Sequence, residues 1–296
     1  NGFLVNYMLC DHSVIGAQFA EEDLCEHNLF PIFSLLASAQ FLYPKPARAL
    51  VVGLGAGLVP SDLRRSGILT DVVEINPAVA EAASRHFGYD WNERSSDRLN
   101  NPLSHYTTIA DAVDFATGER PADTPKYDLI IHDLYSGSDL TKTLTQHVFR
   151  SLRDSWLQES GVLIVNFLGF ISASSAFAKA IALGAAVART LRSVFDHVQC
   201  YREVPLTFEP ESCNNILCFC SSRSWELRLP AALRAQEVPE MSPEWLVARF
   251  QEWEVFSAEQ SWPSAAGAGA SSIITEASSG YYRQAGDMIA AEMLQM

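Results

Sequence analysis

Ala49-Leu50-Val51-Val52-Gly53-Leu54-Gly55-Ala56-Gly57 decides how this chain is read. Four consecutive apolar residues fit a strand buried on both faces. The glycines after them permit positive φ and let backbone N–H groups approach a ligand at the start of a helix. A dinucleotide fingerprint asks for G-x-G-x-x-G, whereas Leu58 follows Gly57, so the pattern here is G-x-G-x-G. That spacing favours a nucleoside cofactor without a pyrophosphate over NAD.

Working outward, the chain repeats apolar strand, turn and helix from Ala47 onward, as a parallel sheet with crossover helices does. The pattern predicts strands over 49–52, 71–74, 105–109, 127–132 and 161–167, and helices over 60–66, 78–87, 146–157 and 172–195. Apolar runs at 197–202 and 214–221, separated by the loop 205–212, predict an antiparallel pair at the sheet edge. Upstream, residues 1–19 alternate apolar and polar side chains, with Phe3, Val5, Tyr7 and Leu9 on one face and a break at Asp11-His12-Ser13, which predicts a β-hairpin. A helix is expected over 27–41, with Pro31 in its first turn and Tyr43-Pro44-Lys45-Pro46 as its stop. Downstream, 243–256 reads as helical, 264–272 as a small-residue linker and 281–294 as a short amphipathic helix that packs on the domain or recruits a partner. The expected organisation is a hairpin and helix over 1–45, a Rossmann-like α/β domain over 46–222 and a helical extension over 223–296.

The 296 residues, 48% of them apolar, suffice for one large domain or two small ones and exclude a disordered chain. A net charge of -14 opposes nucleic acid as a partner and is compatible with a cationic one. The most apolar stretch, 170–188, carries Lys179, Gly184 and several serines, so no membrane span is expected. Six cysteines in so long a chain suggest free thiols and a reducing, cytoplasmic compartment. Asn1 reads as the start of a fragment.

Three acids join the glycine turn. Glu74, 21 residues beyond Gly53, closes the second strand where a carboxylate holds ribose hydroxyls. Asp111, followed by Ala112, ends the third strand and could accept from an adenine amine, and Asp133 ends the fourth. The carboxyl ends of parallel strands form the ligand crevice of open α/β sheets, so the ordered set is expected to form one site. Read singly, each Asp is equally a helix N-cap. Asp133 is the candidate to orient or deprotonate an acceptor. Tyr135 either shapes the acceptor slot or packs beneath the hairpin. Cys213, Cys218 and Cys220 read as buried thiols rather than a zinc site, His132 as a buried strand histidine, and no metal centre is expected. Neither a G-x-S-x-G elbow nor a P-loop occurs.

The segment 47–167, with Val-Val-Gly-Leu-Gly-Ala-Gly-Leu, Val-Val-Glu-Ile-Asn-Pro and Tyr-Asp-Leu-Ile-Ile-His-Asp, resembles class I S-adenosylmethionine-dependent transferases. More narrowly it is similar to their spermidine-synthase-like branch, including the related domain of elongation-factor methyltransferases. The hairpin and the late strand around Asn214-Asn215-Ile216 extend the likeness to about 3–221. The resemblance implies a class I methyltransferase fold in which Gly53, Gly55 and Gly57 line the methionine part. It places Glu74 on the ribose, Asp111 and Ala112 at the adenine, and Asp133 at the reacting centre. Aminopropyltransferases of this branch carry an Asp inside the glycine turn, where this chain has Ala56. Intact S-adenosylmethionine carries a carboxylate suited to a helix N-terminus, whereas the decarboxylated form gains from a nearby acid. Ala56 therefore favours methyl transfer to a nitrogen or oxygen of a small molecule or protein. Aminopropyl transfer from decarboxylated S-adenosylmethionine to a polyamine, 3-amino-3-carboxypropyl or intramolecular chemistry, and an inactive partner-binding domain stand as alternatives. The branch also implies a homodimer.

Overall fold

The computed structural model of the protein describes residues 3–10, 13–20, 29–91, 105–122, 124–134, 142–169, 178–203, 213–230, 233, 242–248, 254–256 and 274–275. In chain order the elements are β1 (Val5–Cys10), β2 (Ser13–Phe19), α1 (Pro31–Ala37), β3 (Leu42–Tyr43), β4 (Arg48–Val52), α2 (Leu58–Arg65) and β5 (Leu69–Glu74). Next come α3 (Pro77–Phe87), β6 (Thr107–Ile109), α4 (Ala112–Thr117), β7 (Tyr127–Asp133), α5 (Gln146–Ser151), β8 (Leu157–Gly169) and α6 (Ala178–Arg192). The series closes with β9 (His197–Arg202), β10 (Asn214–Ser221), β11 (Glu226–Leu227), α7 (Pro243–Ala248) and β12 (Glu254–Phe256). The chain divides into two compact units, one of residues 1–112, 127–131 and 225–250, the other of 113–126, 132–224 and 251–296.

In the first unit β5 pairs in parallel with β4 on one side, Val73 opposite Val52, and with β6 on the other, Val73 opposite Thr108. Leu50, Val51, Val52, Val72 and Val73 are all buried. Burial on both faces explains why these strands read as unbroken apolar runs, and each such side chain contributes about 1.5–3 kcal/mol. Asp71 interrupts the run in β5 yet is buried, and the fold satisfies it. Its carboxylate accepts from Tyr106 N–H (3.0 Å) and Tyr127 Oη (2.8 Å) and lies 3.6 Å from the Arg48 guanidinium. The hairpin forms as expected, β1 antiparallel to β2, with a register shift between Met8 and Leu9. Met8 is buried, while Tyr7 and Leu9 are exposed.

Several boundaries differ from expectation. The helix expected over 27–41 begins at Pro31, whose fixed φ suits the first helical position, and ends in a 3-10 turn, Ser38–Phe41. The helix expected from residue 60 begins at Leu58, directly out of Gly57. The helix α4, six residues long, is too short to show a helical period and was not expected.

In the second unit β10 runs antiparallel to both β8 and β9, with Cys218 opposite Val165 and Cys200. The pair β9 and β10 has the boundaries read from sequence, but β9 is not an edge, because β12 pairs with its other side. Of the stretch 243–256 expected as helix, Pro243–Ala248 is helical and Glu254–Phe256 is strand. The helix expected over 146–157 changes to a π turn at Leu152–Trp156, and Leu157 already opens β8. The expectation of free thiols fails at Cys200 and Cys218, which are disulfide-bonded. Directly opposed residues on neighbouring antiparallel strands bring their β-carbons together, a proximity that a sequence separation of 18 conceals. Cys10, Cys213 and Cys220 are not disulfide-bonded. Tyr135, the linker 264–272 and the helix 281–294 lie outside the described residues. No described helix is long and apolar enough to cross a membrane.

Candidate active site

The glycine turn sits where β4 ends. Gly53, Gly55 and Gly57 have φ of 98°, 54° and 77°, and the Gly53 N–H donates to Val73 O at 2.8 Å, tying the turn to β5 at its start. Glu74 ties it again. One carboxylate oxygen accepts from Leu54 N–H at 3.1 Å, within the turn, and the other from Asn76 N–H at 2.8 Å. Glu74 is 8% exposed, and among the described residues each oxygen accepts one such bond and keeps a spare lone pair. Within the turn, Gly55 and Gly57 are both closely walled. A β-carbon at Gly55 would stand 2.5 Å from Ile15 O, and one at Gly57 would stand 2.8 Å from the Tyr89 ring.

Both walls of the turn are themselves anchored. Tyr89 is buried, shares a 2.7 Å hydrogen bond with Thr107 Oγ1, accepts from Arg64 Nη2 at 3.2 Å and lies beneath the Arg64 guanidinium. Burial pushes its hydroxyl pKa up. On the other wall a β-carbon at Gly16 would overlap that of Ala56, so strand β2 rests directly on the turn. Helix α2 starts from Gly57 with no side-chain cap, leaving its first-turn N–H groups for another acceptor.

Ala110 N–H donates to Glu74 O at 3.0 Å, which holds the end of β6 beside the end of β5. Asp111 follows, exposed, with Ala112 opening α4. Gly53, Gly55, Gly57, Glu74, Asp111 and Ala112 therefore gather in the first unit through the β4-β5-β6 pairing. Sequence reasoning missed Ile75, a large apolar side chain left 62% exposed right after Glu74. Its signal was an isoleucine between a strand-end acid and Asn76, which caps α3 by accepting from Ala78 N–H.

Asp133 belongs to the second unit, at the end of β7, and is half-buried. Its Oδ1 accepts from Asn166 Nδ2 at 2.8 Å. The same nitrogen donates to Asn215 Oδ1 at 3.2 Å, and Asn215 Nδ2 donates to Glu203 Oε2 at 2.6 Å. Burial raises the Asp133 carboxyl above the ordinary carboxylate value, and the Asn166 hydrogen bond opposes part of that rise. His132 is buried edge-on to Phe149, and burial holds it neutral, lowering its pKa to about 4. The Asn166-Asn215-Glu203 chain was also missed. Its signal was a lone asparagine in the apolar run 162–167, an expensive residue to bury without a purpose. Among the described residues no group of three or more His, Cys, Asp or Glu is placed to hold a metal ion.

The fold is the Rossmann-like fold of class I S-adenosylmethionine-dependent transferases. Spermidine synthase from Thermotoga maritima superposes with a TM-score of 0.52 over 80% of this chain and 77% of that one, at 20% identity. In sequence the chain is similar to the N-terminal histidine N-methyltransferase of Emericella nidulans, 29% identical over 236 residues, which are 75% of this chain and 38% of that protein. It is also similar to the eEF1A lysine and N-terminal methyltransferase of Mus musculus, 31% identical over 157 residues, 49% of this chain and 21% of that protein. The matched segments thus span well under half the length of these curated relatives. No protein-family model matches the chain. The likeness to S-adenosylmethionine-dependent transferases, both methyltransferases and spermidine synthase, holds as expected.

Proposed function

We propose that the chain is the transferring domain of an S-adenosylmethionine-dependent methyltransferase whose acceptor is a protein nitrogen. The observation that carries this reading is the hydrogen bond from Leu54 N–H to Glu74, which makes the glycine turn and the strand-end acid one preformed unit. The sequence relatives, named for N-terminal histidine, lysine and N-terminal methylation, supply the acceptor class.

The residues present fit the cofactor. Gly55 and Gly57 take positive φ and lie against Ile15 O and Tyr89, which holds the turn's backbone in the open form a ligand can approach. The spare lone pairs of Glu74 suit two ribose hydroxyls, Ile75 offers an apolar face to adenine, and Asp111 with Ala112 receives its amine. The uncapped start of α2 suits a carboxylate, and Ala56 brings no negative charge against it. S-adenosylmethionine supplies, when bound, a methyl group made electrophilic by its sulfonium sulfur. Asp133 takes the proton that a protonated amine must lose before its lone pair attacks. Its raised pKa lessens the mismatch with the amine. Bound there, S-adenosylmethionine would give its methyl carbon to the nitrogen with loss of the C–S bond, the electron pair staying on sulfur.

The test supplies the protein with methyl-labelled S-adenosylmethionine and either purified eEF1A or a short peptide beginning with histidine, and in parallel supplies decarboxylated S-adenosylmethionine with putrescine. Label on a protein or peptide nitrogen supports the reading. Aminopropyl transfer without methyl transfer contradicts it.

A further inference from the structure

We propose that Asn166 selects and orients a primary amine as the acceptor, with its amide held in one polarity by Glu203 acting through Asn215. The inference rests on the methyl-transfer reading and names the chemistry of its acceptor side.

A carboxylate only accepts hydrogen bonds, so Glu203 Oε2 forces Asn215 to present Nδ2 to it at 2.6 Å. Asn215 must then turn Oδ1 toward Asn166, which can only answer with Nδ2, at 3.2 Å. The second hydrogen of that nitrogen goes to Asp133 Oδ1 at 2.8 Å. Both amide hydrogens of Asn166 are now used, and its Oδ1 is buried without a hydrogen-bond partner among the described residues. Asn166 is 9% exposed. A buried carbonyl left unpaired is costly and calls for a ligand that donates. Amide oxygen and nitrogen share one carbon, so this orphan oxygen lies within a few ångströms of the Asp133 carboxylate. Among the described residues the two present acceptors and no donor.

That arrangement matches a protonated primary amine, which has three N–H groups. One proton passes to Asp133, one N–H stays on Asn166 Oδ1, and the freed lone pair attacks. A hydroxyl or a neutral imidazole has one donor hydrogen and leaves one acceptor unanswered. Glu203 is a positioning residue. Besides its side-chain bond, its N–H donates to Asn215 O at 2.9 Å, which holds β9 and β10 in the register the relay needs.

The test is calorimetric titration of the full chain, saturated with S-adenosylhomocysteine, with three peptides of one sequence beginning with histidine. They carry a free α-amine, an acetylated amine, or a hydroxyl in place of the amine. Methyl-transfer kinetics with the free-amine peptide accompany the titration. The wild type is expected to bind the free-amine peptide at least about tenfold more tightly than the other two. Asn166→Leu is expected to remove that preference and lower kcat/KM by about tenfold or more. Glu203→Gln, which keeps an acceptor for Asn215, is expected to stay near wild type. Glu203→Lys, which offers only donors, is expected to behave as Asn166→Leu. All variants should bind S-adenosylhomocysteine as the wild type does. Equal affinity for amine and hydroxyl peptides, an unaffected Asn166→Leu, or identical behaviour of the two Glu203 variants overturns the inference and leaves the cofactor reading standing. Failure of the wild type to bind S-adenosylhomocysteine overturns both.

Discussion

Replacing Gly16 with alanine drives a methyl group into Ala56, and the size of the effect follows from the contact. The new β-carbon would overlap that of Ala56 and stand 3.1 Å from its backbone N and 3.2 Å from its Cα. Ala56 is 3% exposed and part of a turn held from below by Val73 and Glu74, so it cannot retreat. Overpacking of this kind costs about 1–3 kcal/mol. Gly16 does not need positive φ, so the cost is steric and carries no backbone term. Ala56→Gly in the same chain removes the overlapping carbon but leaves the two contacts above 3 Å, so rescue should be incomplete, with a coupling energy of about 1–2 kcal/mol. The assay is a double-mutant cycle by urea denaturation, with S-adenosylhomocysteine affinity measured alongside. Gly16→Ala should destabilise the protein, weaken the ligand, and be partly restored on both counts by Ala56→Gly. Additive effects of the two substitutions would refute the contact between hairpin and turn.

Other outcomes test separate parts of the account. Glu74→Gln keeps the shape but can no longer accept on both sides as a charged group, and should weaken S-adenosylhomocysteine by about tenfold in calorimetry. The raised pKa of Asp133 means that the folded chain holds this proton more tightly than the unfolded one. Its contribution to stability is therefore greatest below the unfolded value and falls as pH rises through the folded pKa. Asp133→Asn should flatten that fall in urea titrations across pH while abolishing the rise of methyl-transfer rate over the same range. Alkylation of the unfolded protein without reductant, followed by peptide mass mapping, should label Cys220 and leave Cys200 and Cys218 unlabelled until reductant is added.

The strands that build the cofactor side were legible because they are buried on both faces, and an unbroken apolar run such as 49–52, stopped by glycine, carries that burial in its composition. Glu74 and the glycine turn were legible as a pair because one turn, one helix and one strand separate them, a distance the fold holds nearly constant. What stayed hidden depends on contacts between distant segments. Asn166 meets Asp133, 33 residues away, and Asn215, 49 residues away, and neither spacing carries a pattern. Cys200 and Cys218 are brought opposite each other by a strand register that sequence does not print. The three residues of β12 have no period of their own, and their conformation comes from the β9 edge they pair with. The role of Ala56 was half legible: its lack of charge could be read, but its burial beneath Gly16 could not.

The central claim, that the glycine turn joined to Glu74 receives intact S-adenosylmethionine, is tested most directly by calorimetric titration of the purified chain. The ligands are S-adenosylmethionine, S-adenosylhomocysteine, decarboxylated S-adenosylmethionine and methylthioadenosine. The account predicts that the two carboxylate-bearing ligands bind more tightly than their counterparts without a carboxylate, and that Glu74→Gln weakens all four. Preference for decarboxylated S-adenosylmethionine and methylthioadenosine would contradict it.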